Sequence, residues 1–242
     1  MITTPRRAAR QSVSLFAALG VGVALAACGH SGQDQPAASP SAQSLSAPAT
    51  ALAAPAADND VSRIGNVKDD FPQGFTAESH PAKTLDQQDI DHSGINSFTG
   101  AQFDPAQCRS AIIPAYAQPS VGTNAAGVRG QGDQGNIYAV AMRLPQPVPS
   151  SPPPAGCDEV TMSGDPQASG TAEPVPAPNI AGVTTTGAEL STDDDDDPDY
   201  IYTAALDDHT TVVVMGNMDE QLNPRQYLSD LLVKSVAAVR GQ

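Results

Sequence analysis

The sequence predicts an α+β domain: a mainly antiparallel sheet in two layers, with helices on one face and one disulfide. Three observations carry that expectation. Two helix starts are marked by proline, at Asp104-Pro105 and Asn223-Pro224. Several short apolar runs lie between them, separated by turn residues. Two cysteines, Cys108 and Cys157, fall within the same stretch.

The first helix opens at Asp104-Pro105-Ala106-Gln107, with an acid as N-cap, proline at the first helical position and glutamine shortly after. Cys108, Ala111 and Ile112 then face inward, and Pro114 limits its length. "NAAGVRG" and "NIYAVAMRL" read as strands around a glycine-rich turn. Tyr138, Val140 and Met142 alternate with Ile137, Ala139 and Ala141, the period of a sheet with one covered face. Residues 144–154 are rich in proline and read as a loop. "CDEVTMSG", "IAGVTTTGA", "YIYTAAL" and "HTTVVVMG" follow as strands, the last two joined by a hairpin at Asp207-Asp208. Asn223-Pro224 opens the final helix. Leu228, Leu231, Leu232, Ser235, Val236 and Val239 fall at helical spacing, and Gly241 stands at its end.

Ahead of this domain the chain changes character twice. Arg6, Arg7 and Arg10 precede an almost wholly apolar run from Val13 to Ala24, the pattern of a secretory signal peptide over residues 1–27. The run ends Leu25-Ala26-Ala27-Cys28, which matches the bacterial lipobox: cleavage between Ala27 and Cys28, and lipidation of the Cys28 thiol. Arg6-Arg7 raises twin-arginine export, although Ala8 and Ala9 stand where that signal favours larger apolar residues. Residues 28–62 are rich in Ala, Ser, Pro and Gln and hold no Phe, Tyr or Trp, too little apolar surface to fold. They read as a disordered tether reaching roughly 30–35 Å as a coil. Residues 63–242 form the single globular domain.

Charge narrows the function classes. Removing residues 1–27 takes three arginines and no acid, leaving 9 basic side chains against 27 acidic, a formal charge of −18. General electrostatic binding of nucleic acid is excluded, because it needs clustered cations. Anionic head groups are equally poor partners, so membrane attachment falls to the lipid on Cys28. With Cys28 acylated, Cys108 and Cys157 remain as an even pair in an exported chain and are expected to form a disulfide. A bridge about 50 residues long is worth about 4 kcal/mol in the chain-entropy model.

Several motifs are tested and set aside. Gly130-Gln131-Gly132-Asp133-Gln134-Gly135 has the G-x-G-x-x-G form, but a strand follows it where a dinucleotide site needs a helix. Asp193, Asp195 and Asp197 are weak metal candidates. An EF-hand register started at Asp193 would put Pro198 where glycine is needed and Ala204 where a glutamate is needed, so the acidic run reads as a solvated loop. The histidines, His30, His80, His92 and His209, have no zinc-ligand spacing. No G-x-S-x-G is present, no catalytic residue can be singled out, and no cofactor is expected.

The segment from "FDPAQC" to "PPAGCDEVTMSG" and the closing "YIYTAALDDHTTVVVMG…YLSDLLVKSVAAVRG" resemble a family of uncharacterised mycobacterial cell-envelope lipoproteins. The order of helix with cysteine, sheet, cysteine, hairpin and helix is more remotely similar to the extracellular sensor domain of mycobacterial receptor Ser/Thr kinases. That domain usually carries a second disulfide, for which this chain has no cysteines. The resemblance implies a lipid-anchored, non-enzymatic binding or sensor-like domain on the outer face of the cell membrane. Its partner would be an envelope protein, the cell wall or a small lipid ligand. The alternatives are a carrier for a small apolar or lipid ligand and an envelope enzyme with an unrecognised site.

Overall fold

The computed structural model describes residues 58–93, 98, 100–164, 169–193 and 197–242. The signal peptide, the Ala27–Cys28 cleavage point and the tether up to residue 57 lie outside the described residues. So does Asp195.

Nine strands form one sheet: β1 (Thr76–Thr84), β2 (Gln102–Asp104), β3 (Asn124–Gly132), β4 (Gly135–Arg143), β5 (Val160–Ser163), β6 (Gly170–Pro174), β7 (Thr184–Thr192), β8 (Asp199–Ala205) and β9 (Thr210–Met218). Their order is β1-β3-β4-β9-β8-β7-β6-β5-β2, and every neighbouring pair is antiparallel. The G-x-G-x-x-G string is the β3–β4 hairpin, with Gly132 opposite Gly135 and Asp133-Gln134 as the turn. Gly135 takes φ 123°, open to glycine at little cost. At Gly130 a Cβ would stand 2.3 Å from the Phe71 ring. The β8–β9 hairpin closes on Leu206 N donating to Thr210 O at 2.9 Å. Within it, Asp207 Oδ1 accepts from the backbone N–H of His209 and of Thr210.

Among the described residues three α-helices accompany the sheet: α1 (Gln87–Asp91), α2 (Arg109–Ile112) and α3 (Pro224–Arg240). The α+β class, the antiparallel sheet and the single disulfide are as the sequence predicts. The placement of the helices on one face is not. Side chains of β8 and β9 divide between two apolar clusters: Tyr202, Ala204, Val212 and Val214 point to one, and Ile201, Val213 and Met215 to the other. A strand with both faces buried loses its alternation, and the unbroken run Val212-Val213-Val214-Met215 is the trace of that in the sequence.

One face is closed by α3 and a 3-10 helix, Val61–Asp70. Leu228, Leu231, Leu232, Ser235, Val236 and Val239 are all buried, the stripe read from the sequence. Asn223 enters α3 in the left-handed region (φ 50°) and Gly241 leaves it there (φ 71°). Val61, Ile64 and Val67 bury beside α3 at three-residue spacing, the period of a 3-10 helix. Val61 and Ser62, expected in the tether, belong to this helix. Tyr227 donates its hydroxyl to Asp70 O at 2.9 Å, and Lys234 pairs with Asp70 at 2.7 Å. Burial pushes the Tyr202 phenol on this face up to about 12.

The other face carries the segment from Cys108 to Ala117. The first helix is shorter than expected: Asp104 ends β2, Pro105 is the N-cap of a 3-10 turn rather than the first helical residue, and α2 spans only Arg109–Ile112. Cys108 is bonded to Cys157 with the Cα atoms 5.4 Å apart. Both are buried among Phe103, Ile112, Val160 and Met162. Cys157 lies ahead of β5 rather than in it. Past α2, Tyr116 Oη and Thr203 Oγ1 are 2.9 Å apart, and Thr203 Oγ1 meets Thr186 Oγ1 at 2.7 Å. This buried hydroxyl chain fixes the 3-10 turn Ala115–Ala117 over β8 and β7.

Candidate functional site

The cap from Cys108 to Ala117 packs over β7, β8 and β9. It stops short of β3 and β4, where the same face opens into a cleft of about 490 Å³. Its floor is Ala125 and Gly127 of β3, Tyr138, Val140 and Met142 of β4, and Met215 of β9. The alternation Tyr138/Val140/Met142 places all three on this face. Gly127 adds no side chain, which leaves the middle of the floor low.

One wall is β1 with the segment after it. His80 is opposite Gly127 in the β1–β3 register, and a bulge follows between His80 and Lys83. Pro81 sits in this bulge; proline is tolerated there because β1 is an edge strand. The second part of the wall is α1, which also brings His92 and Ser93 to the cleft. Asp86 and Asp89 cap α1 reciprocally: Asp86 Oδ1 accepts from Asp89 N at 2.9 Å, and Asp89 Oδ2 accepts from Asp86 N at 3.2 Å. Lys83 Nζ hydrogen-bonds and ion-pairs with Asp89 Oδ1, tying α1 to β1. That hydrogen bond, with the one from Asp86 N, holds the Asp89 carboxyl below its usual range. Lys83 and Asp89 thus neutralise each other at the wall. His92 Nδ1 is 2.7 Å from Gln88 O, so its ring faces its own helix end.

Arg129 of β3 stands at the end of the cleft. Its guanidinium lies over the Tyr138 ring, 5.6 Å from the centroid. Its Nε is buried without a hydrogen-bond partner. Glu78 is opposite Arg129 in the β1–β3 register but outside ion-pair distance. Among the described residues no carboxylate pairs with Arg129.

The residues singled out in the sequence lie elsewhere. Asp193 and Asp197 flank the β7–β8 turn; Asp193 N donates to Ser169 O and Asp197 O accepts from Asn217 Nδ2. Among the described residues no three His, Cys, Asp or Glu converge on a point that could hold a metal. His209 sits at the β8–β9 turn with Nδ1 3.0 Å from Leu144 O, His30 lies outside the described residues, and His80 and His92 line the cleft. Lys83, Arg129 and the α1 cap were not visible as site residues in the sequence. The one available signal was the β4 alternation, which marks the floor but does not say that its face is uncovered. No helix among the described residues is long and apolar enough to cross a membrane.

Comparison with known proteins adds a family and a fold. No curated protein matches the chain. A solved structure of an uncharacterised protein from Mycobacterium smegmatis, the Rv0999 ortholog, is similar with a TM-score of 0.58 and 24% identity, covering 76% of this chain and 98% of that one. At that identity the likeness speaks for the fold alone. Residues 60–240 match the model of a domain of unknown function, DUF5642, across nearly all of the described sheet and helices, and the chain therefore belongs to the DUF5642 family.

Proposed function

We propose that this protein is a cell-envelope lipoprotein, anchored through Cys28 on the outer face of the membrane, whose domain binds a small apolar or amphipathic ligand without transforming it. The observation that supports binding is the cleft over β3, β4 and β9. It is mostly apolar, its volume of about 490 Å³ lies within the roughly 300–1,000 Å³ of small-ligand sites, and its floor is built on rigid strands. A filled face would have favoured a protein or wall partner instead. The remote resemblance to kinase sensor domains, read from the order of cysteines and elements in the sequence, fits the same class of role, ligand capture. The signal peptide and lipobox at Leu25-Ala26-Ala27-Cys28 support the anchor.

Two experiments test this. Val140→Trp fills the floor of the cleft. Titration of the full chain with a fluorescent alkyl probe should give saturable binding that this substitution abolishes while the circular dichroism spectrum is kept. Equal binding by parent and variant would remove the cleft from the function. For the anchor, Cys28→Ala should move the protein out of the membrane fraction. A substituted protein that still sediments with membranes would sink lipid anchoring.

A further inference from the structure

Two arginines of this protein are stacked on tyrosine rings, and they differ in what completes them. Arg225 lies 5.9 Å from the Tyr200 ring centroid. It is clasped by two carboxylates: Nε donates to Glu189 at 2.9 Å, and Nη2 to Glu173 at 3.1 Å and to Glu189 as well. That contact raises its already high pKa further and ties the start of α3 to β6 and β7. Arg129 has the same stacked geometry on Tyr138 and no carboxylate at all among the described residues. Its Nε is buried and unpaired. A buried charged donor without an acceptor is costly, and such groups call for a partner.

Arg129 also opens onto the cleft rather than onto bulk solvent alone. Lys83, the other fixed cation of the wall, is spent on Asp89. The site therefore has one uncompensated guanidinium at the end of an apolar trough floored by Val140, Met142 and Met215. A chain with 27 acidic residues against 12 basic ones repels anions on the whole, so selection of an anion has to be local.

Resting on the cleft as a ligand site, we infer that the ligand is a single-chain amphiphile whose terminal oxyanion, carboxylate or phosphate, is received by Arg129 while its alkyl tail lies along Val140, Met142 and Met215. A planar guanidinium held over a ring presents its remaining N–H groups as a fork, which matches both oxyanions. The trough supplies the apolar burial that a free inorganic anion cannot use.

The test uses the full chain carrying Cys28→Ala, so that no acyl group of its own competes, and three probes of equal chain length: dodecanoate, dodecyl phosphate and dodecanol. At least one of the two anions should bind on the order of tenfold or more tighter than the alcohol, the scale of a charge-assisted hydrogen bond. Arg129→Gln should bring that anion down to the level of the alcohol and leave the alcohol unchanged. Arg129→Lys should keep part of the preference. Preference for dodecanoate assigns a carboxylate head and preference for dodecyl phosphate a phosphate head. Inorganic phosphate and acetate should not compete at matching concentration. If all three probes bind alike in the parent, or if both Arg129 variants keep the full preference, the head-group assignment is overturned and the cleft stands. If none of the three binds, the cleft itself falls.

Discussion

The two faces of the sheet are held by different means. The α3 face is closed by packing: a helix of 17 residues lays one apolar stripe over β9, β8 and β4, and the 3-10 helix Val61–Asp70 lays another over β1, β3 and β4, with Arg225, Lys234 and Tyr227 pinning the edges. Among the described residues the opposite face has no long helix. Its cover is a helical segment of a few residues, and a disulfide and a chain of three buried hydroxyls keep it in place. A short segment buries little apolar area, so covalent and directional bonds supply what area does not. The same shortness leaves β3 and β4 bare. The face with the shorter helical cover is the one that keeps an open cleft.

The largest expected effect tests the covalent part of that contrast. Cys108→Ser with Cys157→Ser should cost about 4 kcal/mol, lowering the Tm by on the order of 10 °C for a domain of this size. Hydrogen exchange should show the loss first in residues 106–117, with α3 still protected. Uniform deprotection of both faces would erase the distinction. Thiol titration of the unfolded, unreduced Cys28→Ala protein should find no free thiol.

Packing is tested by a matched pair of substitutions. Val214 of β9 is fully buried under α3, whereas Val140 of β4 is half-buried in the cleft floor. Val214→Ala should cost about 2 kcal/mol and Val140→Ala less than about 1 kcal/mol, because only the first leaves a closed cavity. Equal costs, read from urea midpoints, would mean that the cleft is collapsed in solution.

A smaller effect concerns the hairpin that serves both faces. Burial pushes the Asp207 carboxyl up, but hydrogen bonds from Asn59 Nδ2 and from the backbone N–H of His209 and Thr210 outweigh it and hold the group below its usual range. A depressed carboxyl stabilises the fold above its unfolded pKa of about 3.9, and the contribution is lost as pH falls through the folded value. Asp207→Ala should therefore cost about 1 kcal/mol at neutral pH. Its Tm should fall less than that of the parent between pH 5 and pH 3. A parallel acid limb in the two proteins would remove Asp207 from the linkage.

The smallest effect is expected at the β7–β8 turn. Replacing the five residues Asp193 to Asp197 with Ser should leave the Tm equal or slightly higher, since like charges packed together repel. A calcium-dependent loss of several degrees would make the turn a metal site.

Sequence legibility followed the same division between faces. α3 was readable to the residue because its stripe, its proline start and its glycine end are all local signals. The β3–β4 and β8–β9 hairpins were readable from alternation and turn residues. β1 was not: "TAESHPAKT" is an edge strand whose side chains are almost all exposed, so no apolar pattern marks it. β2 has three residues and β6 ends in Pro174 against β7, each too short to carry a period. Val61, Ile64 and Val67 did carry one, at three residues instead of the α-helical spacing, and their helix was divided between tether and domain. The cleft could not be read at all, because it arises from cover that is missing, and no local pattern records where a distant segment ends.

The point of entry of the chain has a mechanical consequence. Asp60 N donates to Val239 O at 3.0 Å, and Asn59 Nδ2 donates to Asp207 Oδ2 at 2.8 Å. Any tension on the residues ahead of Asp58 is thus delivered to the C-terminal end of α3 and the β8–β9 turn. The load enters at the end of α3 and at the turn that leads into β9, a strand of the cleft floor, and its first connections are the terminal turn of a helix and one surface hydrogen bond. The disulfide, between the segment after β2 and the one ahead of β5 at the other end of the sheet, lies off this line of force.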